Sequence, residues 1–278
     1  MECETGKTEW NSGSLWKRRS RRSGGEELKS IKEIQEEFAA APMESWPGLY
    51  EVYGQDNRKG VADFLAKCRR QEEKLQCERL RTEQMKEFEK KYEHLGWVCG
   101  IDEVGRGPLA GPVVAGAVIL PRDCQILWLN DSKQLSAKKR EELYEVILEQ
   151  AVAVGIGYAS PARIDEINIL QATYEAMREA IGQLSVKPQV LLNDAVTIPE
   201  VEILQVPIIK GDAKSVSIAA ASIVAKVTRD RLMVQYHEIL PEYDFASNKG
   251  YGSKVHIEAL KKVGPSPIHR KSFIKNFI

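Results

Sequence analysis

The sequence offers little to a disulfide framework. Its cysteines (Cys3, Cys68, Cys77, Cys99 and Cys124) are odd in number and contain no CxxC spacing. That argues against paired cystines and a thiolate zinc site, and fits a reducing cytosol. No apolar run approaches the roughly 18 residues a membrane span needs. The basic residues near the start have no apolar segment behind them, so no secretory signal is read. Net charge is absent as well, with 40 Lys and Arg against 40 Asp and Glu. Binding to an anionic partner would therefore depend on where the charges lie, not on their sum. A soluble, cytoplasmic protein is the expectation.

What is present suffices for a globular core: 43% hydrophobic and 29% charged residues in a chain of 278. Residues 1–26 are polar, end in the cluster Lys17–Arg22 and are read as a disordered basic tail. Residues 27–95 are read as a small helical extension. Ser30 and Glu33 form a capping box, and Ile31, Ile34 and Phe38 then share one helix face. A loop containing Pro42 and Pro47 is expected next. One or two further helices over 61–95 carry an apolar stripe of Val61, Leu65 and Cys68, and another of Met85, Phe88, Tyr92 and Leu95. Basic residues such as Lys67, Arg69, Arg70 and Lys74 are interleaved with glutamates. Such a face suits either contact with a nucleic-acid backbone or plain solvation.

From Gly96 the texture changes. Strand-like runs fall at 97–102, 113–120, 151–159, 189–193 and 201–208, with helical patterns at 136–150, 161–184 and 214–238. Ser160 and Pro161 make a good start signal for the second helix. The alternation predicts an α/β domain over 96–278, with a mixed sheet flanked by helices.

In such sheets ligands gather beyond the carboxyl ends of the strands. Asp102 and Glu103 lie at one such end and Asp194 at another, while Asp212 directly precedes a long helix. Adjacent strand residues point to opposite faces, so a bend near Asp102 and Glu103 is expected if both serve one site. Four converging carboxylates would repel one another and raise their pKa values unless a cation bound. Oxygen donors without Cys or His favour Mg²⁺ or Mn²⁺, and a metal pair about 4 Å apart suits phosphodiester hydrolysis. Position alone does not single these acids out, because most strand-end carboxylates are solvated or cap turns. Asp230, between Arg229 and Arg231, is read as a surface ion-pair residue. Gly105 and Gly107 allow close backbone approach to a ligand, or else simply form a tight turn.

The stretch "GIDEVGRGPLAGPVVAGAVIL" (100–120) resembles the signature of bacterial ribonuclease HII, the type 2 ribonuclease H. So do "NDSKQLSAKKREELYE" (130–145), "GIGYASPARIDEINIL" (155–170), "KGDAKSVSIAAASIVAKVTRDR" (210–231), "NKGYG" (248–252) and "PIHRKSF" (267–273). The resemblance implies a ribonuclease H-like fold. It implies cleavage of the RNA strand of RNA–DNA hybrids and incision 5′ to single ribonucleotides embedded in duplex DNA, with Mn²⁺ or Mg²⁺. The family's four-carboxylate set maps onto Asp102, Glu103, Asp194 and Asp212. Its 2′-OH-reading turn maps onto Gly105, Arg106 and Gly107, and its sugar-stacking tyrosine onto Tyr251. Ser132, Lys133 and Lys210 resemble phosphate contacts. Asn193 departs from the Ile or Val usual before Asp194. His269 and Arg270 are expected to touch phosphate or support the core. A monomer is expected. The alternatives are a ribonuclease HIII-like hybrid nuclease, which Pro108–Gly111 and Asp212 disfavour, and a non-catalytic nucleic-acid-binding module, which the complete carboxylate set disfavours.

Overall fold

The computed structural model describes residues 28–278, so the tail read over 1–26 lies outside the described residues. Two compact units divide between Leu80 and Arg81.

The first unit begins with α1 (Ile31–Ala40), capped as the sequence suggests. The Ser30 hydroxyl accepts from the Glu33 amide, and the Glu33 carboxylate accepts from the Ser30 amide. The proline loop proves to contain a helix, α2 (Trp46–Tyr53). Pro47 sits in its first turn, where its missing N–H costs nothing. α3 (Lys59–Met85) follows. Ile34, Phe38, Trp46, Val61, Leu65 and Cys68 form this unit's core. Phe38 is its hub, with ring centroids 5.5 Å from Trp46 and 5.3 Å from Phe64.

In the second unit, α4 (Glu87–Tyr92) leads into a five-stranded mixed sheet. Its strands are β1 (Val98–Val104), β2 (Val113–Ile119), β3 (Ala153–Ala159), β4 (Val190–Asp194) and β5 (Leu204–Ile208), ordered β3-β2-β1-β4-β5. The first three pair antiparallel, whereas β4 lies parallel to both β1 and β5. Of the two stripes read over 61–95, Met85, Phe88 and Tyr92 pack in this unit, but Leu95 is exposed.

Helices cover both faces of the sheet, which is why β2 is apolar at every position. Val118 faces α8 (Val216–Ile239) and α5 (Ala137–Gln150). Val113, Ala115, Ala117 and Ile119 face the other helical layer. The first half of α8 is a run of small residues, and it lies so close that a Cβ on Gly116 would sit 2.5 Å from the Ala221 carbonyl oxygen. The helix expected over 161–184 is two, α6 (Pro161–Ile167) and α7 (Ile169–Gly182). Asn168 breaks it with φ of 71°, and its side chain caps the second helix by accepting from the Leu170 and Gln171 amides.

After α8 come the short α9 (Phe245–Asn248), then α10 (Lys254–Val263) and the short α11 (Lys271–Ile274). This C-terminal part supports the turn after β1. Arg229 of α8 donates to the carbonyls of Ala110, Pro112 and Lys249, and Arg270 donates to those of Gly105, Arg106 and Gly111. His256 and His269 lie beside them, fully buried, with their Nε2 atoms 2.9 Å apart. Neither histidine nor Arg270 faces outward to meet a phosphate, so core support is what the structure assigns to Arg270.

Burial, reinforced by the neighbouring His256, pushes His269 from an ordinary 6.5 down to about 4. The unfolded chain then takes up the proton first on acidification. Stability from this group is complete above pH 6.5 and is lost as the pH falls toward 4. Between pH 7 and pH 5 the wild-type protein should lose about 2 kcal/mol more than His269→Gln. Urea unfolding at both pH values checks this, and parallel losses in the two proteins would contradict it.

Candidate active site

β1 does not bend at its acids. It runs regularly through Asp102 and Glu103, which pair with Gly116 and Ala115 of β2. The expectation of a bend at that point is therefore corrected. The chain turns one residue after the strand ends, at Gly105, whose φ is 92°. A Cβ there would also meet the Arg229 Nε at 2.3 Å. Glycine is needed at this position for the fold itself.

Asp102 is buried, and its Oδ1 accepts from the Glu103 amide at 2.8 Å. Glu103 is half-buried and pairs with Arg106 at 3.3 Å. Asp194 closes β4, the parallel neighbour of β1, and accepts from the Gly211 amide at 2.7 Å. That bond ties it to the turn Gly211–Ala213, which carries Asp212. Lys210 enters this turn in the left-handed region, with φ of 57°.

Asp194 is the acid whose charge reaches each of the other three. Burial holds Asp102 well above the usual carboxylate range, and the charges of Glu103 and Asp194 push it further. Burial also raises Glu103; Arg106 opposes the shift and Asp194 adds to it. Asp212 is raised by burial, then by Asp194 and Asp131. Among the described residues, however, no three acidic, histidine or cysteine side chains are drawn together closely enough to enclose a metal ion. Asp102, Glu103 and Asp194 each engage a protein N–H group instead. The donor set is still oxygen only, and positive charge is what would relieve its mutual repulsion, so these residues suit a hard divalent cation.

Lys133 is exposed, and its charge lowers both Glu103 and Asp212, so it faces the acids. Ser132 is buried, and its hydroxyl oxygen lies within hydrogen-bond distance, 3.0 Å, of that of Ser222. The Ser222 hydroxyl in turn helps hold the Asp102 charge. Sequence reasoning missed Ser222 and Asp131. Both sit in quoted motifs, but nothing in their spacing marked them. Asp230 does form an ion pair, with Lys226 at 2.6 Å and largely shielded, not with the arginines beside it.

The turn and the tyrosine meet. Tyr251 is 45% exposed, and a Cβ built on Gly107 would lie 3.9 Å from its ring carbon Cε1. That is ordinary contact, so the protein itself leaves room for a side chain at Gly107. Tyr251 is reached through Gly250, which has φ of 86° and whose carbonyl accepts from the Leu109 amide at 2.8 Å. Arg106 points outward, 46% exposed at its side chain. The arrangement is an acidic strand end beside a narrow slot, wide enough for a Cβ at Gly107, between a backbone turn and an aromatic ring.

Known proteins share this arrangement of sequence. Residues 99–276 match the family model for ribonuclease HII, and residues 30–93 match that for the ribonuclease HII N-terminal domain. The chain is 65% identical over 246 residues to the ribonuclease HII of Lachnoclostridium phytofermentans, covering 88% of this chain and 97% of that one. It is 50% identical over 252 residues to the Clostridioides difficile ribonuclease HII, covering 90% and 99%. The crystal structure of ribonuclease H2 from Pyrococcus horikoshii OT3 is similar at a TM-score of 0.53 and 31% identity, over 63% of this chain and 93% of that chain. The PCNA:RNase HII complex from Archaeoglobus fulgidus contains a chain similar at 0.54 and 29%, over 65% and 96%. Carrying an acidic strand end in a sheet of this topology, the chain belongs to the ribonuclease HII family and is a ribonuclease H, an endonuclease that hydrolyses its substrate.

Proposed function

We propose that this enzyme cleaves the RNA strand of RNA–DNA hybrids and incises duplex DNA on the 5′ side of single embedded ribonucleotides. The observation that carries the second activity is the slot between Gly107 and the Tyr251 ring, next to Asp102 and Glu103. A lone ribonucleotide differs from its DNA neighbours at the sugar only by its 2′-OH. A site must therefore meet that hydroxyl with polar groups at close range. The main-chain groups of Gly105–Gly107 that Arg270 does not engage would do so without a side chain in the way. The exposed face of Tyr251 suits stacking against the adjoining sugar.

Asp102, Glu103, Asp194 and Asp212 would hold Mg²⁺ or Mn²⁺. Bound there, the metal supplies positive charge against the scissile phosphate and the departing 3′-oxygen. The protein's part is to orient. Ser222 and the Glu103 amide fix Asp102, the Gly211 amide fixes Asp194, and Lys133, whose charge reaches Glu103 and Asp212, would contact phosphate together with Lys210 at the entry of the Asp212 turn. Arg106 neutralises part of the Glu103 charge and is exposed enough to follow the backbone.

Asp102→Asn and Asp194→Asn should each lower cleavage by several orders of magnitude in Mg²⁺ or Mn²⁺. Asp102→Asn removes a buried charge and should leave the melting temperature unchanged or higher. The assay is incision of an end-labelled duplex carrying one ribonucleotide, run with each metal and with chelator. Near-normal turnover in either variant, or undiminished cleavage in chelator, would overturn the assignment.

Gly107→Ala should fold normally, because the added Cβ meets only the Tyr251 ring at contact distance, yet block the approach of ribose. Tyr251→Ala should reduce incision at a single ribonucleotide more than cleavage of a long hybrid, where many sugars offer a 2′-OH. Steady-state rates on the two substrates decide this, and equal losses would make Tyr251 a structural residue.

A further inference from the structure

His256 and His269 lie outside the acidic site, and cleavage asks no chemistry of them. Both are buried, enclosed by the rings of Tyr243 and Phe245; Tyr243 lies 4.7 Å from His269 and Phe245 lies 5.3 Å from His256. Their hydrogen bonds have a single consistent direction. The Ser266 hydroxyl and amide lie 2.8 and 3.0 Å from His269 Nδ1; the hydroxyl can play either role, but an amide nitrogen can only donate. His269 Nδ1 is therefore unprotonated, and its proton is on Nε2. That N–H donates to His256 Nε2 at 2.9 Å, leaving the His256 proton on Nδ1, which donates to the Tyr251 carbonyl at 2.8 Å. A second proton on either ring would set two donors against each other. The dyad is thus a neutral, one-way chain ending on the main chain of Tyr251.

The next residue completes the geometry. Arg270 donates to the carbonyls of Gly105 and Arg106, in the turn on the other side of the slot. Its amide also bonds the Leu109 carbonyl at 2.9 Å. One dipeptide therefore holds both walls, Arg270 directly and His269 through His256. We infer that His256 and His269 are positioning residues that, with Arg270, set the gap between the Gly105–Gly107 turn and the Tyr251 ring, and so determine how well a single ribose is recognised. This rests on the proposed role of that slot.

Two substitutions at His256 separate positioning from packing. In His256→Asn the amide nitrogen occupies the place of Nδ1, keeping the bond to Tyr251 and losing that to His269. In His256→Gln the amide reaches the place of Nε2, keeping His269 and losing Tyr251. Each leaves one buried polar group without its partner, so their melting temperatures should fall alike. His256→Gln should lower the ratio of kcat/KM on a single-ribonucleotide duplex to that on a long hybrid by roughly tenfold, the worth of about one hydrogen bond. His256→Asn should keep the wild-type ratio. Equal ratios in the two variants, or a fall confined to His256→Asn, would overturn the inference.

Two spectroscopic measurements do not depend on turnover. The Tyr251 ring ¹³C signals should move in His256→Gln and not in His256→Asn. In the wild-type enzyme, imidazole ¹⁵N shifts should show His256 protonated at Nδ1 and His269 at Nε2. Opposite tautomers or a cationic ring would overturn the chain even if neither variant folds. A wild-type enzyme that ignores single ribonucleotides while showing the expected tautomers and ring shifts would sink the proposed reading of the slot, not the positioning of Tyr251.

Discussion

Two buried guanidinium groups hold the turn that follows β1. Arg229 and Arg270 are each 0% exposed, and each donates to three main-chain carbonyls drawn from Gly105 to Pro112 and from Lys249. Those carbonyls point inward from an irregular segment and have no neighbouring strand to satisfy them. Left alone, each would cost on the order of 1–3 kcal/mol. A guanidinium suits the task because its planar fork spreads several donors over a few ångströms. Burial, with Arg229 close by, pushes Arg270 down to about 9, which leaves it cationic at neutral pH. An apolar residue of equal volume would fill the space and abandon the turn.

The acids above this scaffold follow the opposite logic. Asp102, Glu103 and Asp212 are all raised by burial and by other carboxylates, so their placement works against folding. Neighbouring structure imposes it: β1 and β4 lie side by side in parallel, and the Gly211 amide ties the Asp212 turn to Asp194. The protein thus keeps an unfavourable cluster of negative charge at the sheet end, beside a turn whose shape is over-determined. That combination fits a site whose stabilising charge arrives with the ligand.

Much of this was legible in the sequence. The strand runs and main helices carry their periodicities openly, and the strand-end acids could be named from position and motif. Three features were not legible, each for a physical reason. The bend expected at Asp102 and Glu103 presumed that both acids must leave the strand from one face. In the structure the strand stays regular and the turn waits for Gly105. Asn168 breaks a helix through its own side-chain cap, which ordinary periodicity does not register. Nothing in the sequence marks Arg229 and His256 as buried, and it leaves His269 and Arg270 open between phosphate and core, since polar residues are mostly exposed. Several of their partners lie more than 100 residues away, and no local pattern encodes such bonds.

If Asp102, Glu103, Asp194 and Asp212 hold one cation together, removing one charge must weaken its binding. Calorimetric titration of Mn²⁺ into the wild-type enzyme and Asp194→Asn, without nucleic acid, reads this. Saturable Mn²⁺ binding is expected in the wild type, weakening by roughly tenfold or more, about 1.4 kcal/mol, in the variant. Indistinguishable isotherms for the two proteins would contradict it.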